Sequence, residues 1–85
     1  DYTKDNPIKF DEIIYSVKSV DNKTSLDVLK IVSKISGNNY IKCKELIENN
    51  GIICSGKAMD IITSLQELKS NNIQFEINPK FEYKI

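Results

Sequence analysis

Eighty-five residues make one small domain, able to bury only roughly 60% of the surface its unfolded chain exposes. Twelve basic and twelve acidic side chains cancel, so the chain lacks the cationic excess with which a general nucleic-acid binder neutralises phosphate. A hydrophobic fraction of 40% beside a charged fraction of 28% argues against disorder, and no apolar run approaches the roughly 18 residues of a membrane span.

Residues 1–9 are polar and read as a loose N-terminal segment, with the folded unit over 10–78 and an extension over 79–85. From Phe10 the chain alternates: Ile13, Tyr15 and Val17 share one face and Ile14, Ser16 and Lys18 the other, which predicts a strand. Asp21-Asn22-Lys23 is a turn, and Thr24 with Asp27 predicts a capping-box start for the first helix. Val28, Ile31, Val32 and Ile35 then recur at helical spacing. Gly37 ends that helix, and Asn38 or Asn39 caps a second one carrying Tyr40, Cys43, Leu46 and Ile47 inward.

Asn49-Asn50-Gly51 closes the second helix, and residues 52–54 predict a short strand. Ser55-Gly56 is expected to open a third helix with Ala58, Ile61, Ile62, Leu65 and Leu68 on one face, closed by Asn71-Asn72. Ile73, Phe75 and Ile77 predict a half-buried strand. The fold class is therefore α+β in the order β-α-α-β-α-β, with three helices on one face of a small antiparallel sheet. Phe81, Tyr83 and Ile85 alternate again, which predicts an extra edge strand pairing back on the sheet, or an exposed edge for homo-oligomer formation.

The chemistry is sparse. There is no histidine, so the usual base near neutral pH is missing and Cys43 and Cys54 lack a partner for nucleophilic activation. Two cysteines form neither a disulfide framework nor a metal set, and Cys43 is expected to be a buried thiol. Carboxylates are scattered and no glycine-rich phosphate loop follows a strand. No enzyme, cofactor or metal is expected. No signal-peptide pattern opens the chain, so the expected location is cytoplasmic.

The pattern Val28-Leu29-Lys30-x-Val32, then Ser36-Gly37, then Lys44-x-Leu46-Ile47-Glu48 resembles the C-terminal domain of the bacterial ribosomal stalk protein. The likeness runs on, more weakly, through residues 52–54, the third helix and residues 73–77. In that family the elbow between the first two helices docks an acidic helix of translational GTPases. The resemblance implies a non-enzymatic protein-binding module with Leu29, Lys30, Ser33, Lys34, Gly37, Tyr40 and Lys44 at the partner surface. It departs from the family where a lysine becomes Ser25, an arginine becomes Ser33, and Leu-Gly-Leu becomes Asn38-Asn39-Tyr40.

A second family is similar in outline. The Clp-protease adaptor, which recognises N-terminal residues, shares the β-α-α-β-α-β order. Asp21-Asn22-Lys23-Thr24 and Asn50-Gly51-x-x-Cys54 resemble its pattern, and that likeness makes Asp21 an alternative peptide-binding acid. Val20 stands where the adaptor has asparagine, and its histidine has no counterpart. A third reading is a structural or self-association domain of a larger protein.

Overall fold

The computed structural model describes residues 7–20 and 22–85. A short 3-10 helix (Pro7–Phe10) leads into β1 (Ile14–Ser19), then α1 (Leu26–Ser36), α2 (Tyr40–Glu48), β2 (Ile52–Lys57), α3 (Ala58–Ser70) and β3 (Phe75–Asn78). The sheet is antiparallel with β1 at its centre, in the order β2-β1-β3. This is the α+β arrangement that the periodicities predict.

Tyr15, Val17 and Ser19 alternate inward along β1 and are all buried, whereas Ile14 is 58% exposed on the opposite face. On the inner side Val32 from α1, Cys43 and Ile47 from α2, and Ala58, Ile61, Leu65 and Leu68 from α3 close over them. α3 buries the stripe that its apolar spacing dictates, and α1 buries Val32 fully and Val28, Ile31 and Ile35 in part. α2 buries Cys43 and Ile47 but, against expectation, leaves Tyr40 exposed at its first turn.

The ends of the elements follow from side-chain chemistry. Gly37 has φ of 77°, a left-handed conformation that costs glycine nothing and other residues about 1–2 kcal/mol. Asn39 caps α2, its side-chain oxygen accepting the Lys42 N–H at 2.8 Å. Asn39→Ala is therefore expected to cost about 1 kcal/mol. That is a fall in melting temperature of about 4–8 °C, readable by circular dichroism.

The secondary structure differs from expectation at four places. Ser25, not Thr24, caps α1, accepting the Val28 N–H at 3.4 Å, because the helix begins one residue later than the Thr24/Asp27 spacing implies. Ser55 and Gly56 belong to β2, paired with Ser16 and Tyr15, so α3 opens at Ala58. Gly56 permits this: its φ is 152°, and a Cβ there would meet the Asp60 Cβ at 3.4 Å.

At the N-terminal side, the expected loose segment 1–9 falls outside the described residues as far as Asn6. From Pro7 the chain is ordered as the 3-10 helix, and Ile8 is 8% exposed in the core. The proline's fixed φ suits a first helical turn, and β1 starts only at Ile14.

The fourth difference is the C-terminal extension. Residues 79–85 are not a fourth strand. Pro79 follows β3 directly and has no N–H with which to continue a ladder. Phe81, Tyr83 and Ile85 instead pack against the core as a strap. The Phe81 ring stands edge-on to both Tyr15 and Tyr83 at 5.2 Å, a favourable aromatic arrangement. Alternation along the tail thus reports burial against side chains, not membership of the sheet.

Candidate functional site

The α1–α2 elbow is held from within. The Gly37 N–H donates to the Ser33 carbonyl at 2.8 Å, and the Ser33 hydroxyl donates to the Asn38 carbonyl at 2.6 Å. Ser36 Oγ accepts the Asn38 N–H at 3.3 Å. The buried Cys43 thiol lies 3.6 Å from the Asn38 carbonyl and 3.7 Å from Ser36 Oγ. These bonds tie the end of α1 to the start of α2 and brace the bend between the helices.

The residues expected at the partner surface divide into two groups. Lys30, Gly37 and Lys44 are exposed, and Tyr40 is 41% exposed at the first turn of α2. Among the described residues, neither Lys30 nor Lys44 forms an ion pair. The other three have internal duties. Ser33 uses its hydroxyl to brace the bend. Lys34 turns toward α3 and sits 3.0 Å from Glu67. Leu29 is half-buried against the core. Asp21, the alternative peptide-binding acid, lies outside the described residues.

Ile41 was missed by the reading of helical faces. It is 75% exposed beside Tyr40 at the elbow. The signal was present in the spacing: with Cys43 and Ile47 inward, a residue two positions before Cys43 points about 200° away from the core. An isoleucine there is an apolar side chain on a solvent face. A single such residue is ordinary on a protein surface, but here it follows a half-exposed tyrosine and lies one helical turn from the exposed Lys44.

A second feature lies beside the C-terminal strap. Phe10, Ile13, Tyr15, Pro79, Lys80 and Tyr83 line a shallow groove of about 720 Å³. Asp11 joins its walls. One oxygen of Asp11 accepts the hydroxyls of both Tyr15 and Tyr83 at 2.7 Å, and the other accepts the Ile13 N–H at 2.9 Å. The bond from Tyr83, then those from Tyr15 and Ile13, hold the Asp11 carboxyl below the usual carboxylate range. The same bond to Asp11, together with burial, pushes the Tyr15 phenol up to about 12, and Tyr83 is raised for the same reasons. Neither phenol is therefore poised as a base or nucleophile near neutral pH. The cluster fastens the C-terminal strap.

Elsewhere, burial pushes the Cys54 thiol up, away from the thiolate that nucleophilic chemistry needs. Among the described residues no group of three His, Cys, Asp or Glu side chains is placed to hold a metal ion. No described helix is long and apolar enough to cross a membrane. Comparison with known protein families, curated proteins and solved structures finds no match.

Proposed function

We propose that this domain is a non-enzymatic protein-binding module whose α1–α2 elbow receives a helix of a partner protein. The observation that carries this reading is the exposure, on the two helices that meet at the bend, of the apolar side chains of Tyr40 and Ile41 and of the ammonium groups of Lys30 and Lys44. Neither lysine forms an ion pair among the described residues. Apolar side chains supply contact area, while rim charges steer and orient an acidic helix. The role of Ser33 and Lys34 in this reading becomes indirect: the first sets the bend and the second ties α1 to α3.

The resemblance to the ribosomal stalk domain makes a translational GTPase the first partner to test. Lys30→Glu with Lys44→Glu is expected to weaken binding of a purified bacterial translational GTPase at least about tenfold, equivalent to about 1.4 kcal/mol. Melting should be unchanged, because both side chains are exposed and unpaired. Equal affinity of wild type and variant in a titration would rule out the elbow as the binding surface.

A further inference from the structure

The sheet has two edges, and they are guarded unequally. β3 is four residues long, carries Glu76, and is followed at once by Pro79, all of which discourage further pairing. β2 runs six residues without a proline and carries a single charge, Lys57. That ammonium is already engaged by Glu12 at 2.9 Å. Apart from its ladder with β1, no backbone hydrogen bond within the described residues reaches β2. Beside this edge the outer sheet face shows Ile52 and Ile14, 56% and 58% exposed.

We propose that the free edge of β2 pairs antiparallel with β2 of a second copy, joining two sheets into one of six strands in a weak two-fold dimer. The faces match only in certain registers. Ser55 and Lys57 pair with Ser16 and Ile14 on the outer face, while Cys54 and Gly56 pair with the inward Val17 and Tyr15. A two-fold axis normal to the sheet must therefore set a residue opposite its own copy.

Ser55 is the residue that satisfies the remaining constraints. Centred there, Gly56 faces the partner's Cys54, and the two Lys57 side chains stand roughly 14 Å apart. Centring on Gly56 brings the lysines into a diagonal like-charge contact. Centring on Cys54 sets the irregularity at Ile53 directly beside the axis, whereas centring on Ser55 leaves it at the ends of the pairing, opposite Lys57.

A second copy fits this edge better than a foreign segment does. The edge offers no free charge with which to select one, whereas zero net charge lets two copies approach without long-range repulsion. Pairing residues 53–57 covers less than the roughly 800 Å² per partner of a stable complex, so the dissociation constant is expected at about 0.1–1 mM.

Sedimentation equilibrium across about 0.01–1 mM protein tests this. The wild type should pass from monomer toward dimer. Ser55→Lys and Ser55→Asp, each placing like charges at the axis, should each raise the dissociation constant about fivefold. Mixing those two variants should restore association, a result that only face-to-face contact at Ser55 produces. Glu76→Lys, on the opposite edge, should change nothing. A mass that stays monomeric throughout, or either Ser55 variant dimerising like wild type, would overturn the proposal. So would loss of dimer in Glu76→Lys.

Discussion

Leu65→Ala is expected to cost about 3 kcal/mol and to lower the melting temperature by about 12–24 °C. Leu65 lies on α3 with no exposed surface, in the one cluster that joins Val17 of the central strand to Val32, Ile47, Ile61 and Leu68. Truncation removes the transfer energy of the lost methyl groups and leaves a cavity that close-packed neighbours only partly fill. A domain of 85 residues has about 4–13 kcal/mol in total, so this one change removes a large share of it. Ile41→Ala, at a position 75% exposed, should leave melting within about 0.5 kcal/mol of wild type. Thermal denaturation of the two variants side by side checks the claim that α3 is anchored by its predicted face.

Stability should fall at both ends of the pH scale, and Asp11→Asn should blunt both falls. Asp11 has its native pKa lowered from 3.8 by the hydroxyls of Tyr83 and Tyr15 and by the Ile13 N–H. Its contribution is therefore present above 3.8 and is lost as pH falls through the lower native value. Tyr15 behaves in the opposite sense. Its pKa rises from 10.0 to about 12, so its contribution is present below 10.0 and disappears as pH rises through about 12. An asparagine at position 11 removes the charge against which both phenols are held. A tyrosinate absorbance titration should then show the Tyr15 midpoint moving from about 12 toward 10.0. A midpoint that stays near 12 would mean that burial alone raises it and that the carboxylate does not fasten the strap.

Much of the architecture was legible because amphipathic period and punctuation agree along this chain. The stripe through Val32, the left-handed Gly37, the Asn39 cap and the face of α3 from Ala58 to Leu68 are each local signals, and the structure places each accordingly. The tail was not legible, because alternation at Phe81, Tyr83 and Ile85 describes equally a strand and a strap. The choice between them rests on Asp11 and Tyr15, about 70 residues earlier in the chain, which no local window contains.

The candidate site shows the same division. Exposure of Lys30 and Lys44 was expected from the family resemblance, whereas the helical face placed Tyr40 inward and the structure leaves it 41% exposed at the first turn of α2. Engagement of Lys34 by Glu67, on a helix far along the sequence, was not legible. Nor was the bracing role of Ser33, whose hydroxyl reaches the carbonyl five residues on across the bend.

The central claim, that the elbow is a docking surface, is tested most directly by amide chemical-shift mapping. A ¹⁵N-labelled domain would be titrated with a purified bacterial translational GTPase. The account predicts that shifts concentrate at Lys30, Gly37, Tyr40, Ile41 and Lys44 and vanish in the Lys30→Glu/Lys44→Glu variant. Shifts confined to the groove around Phe10 and Tyr83, or a spectrum unchanged at saturating partner, would contradict it.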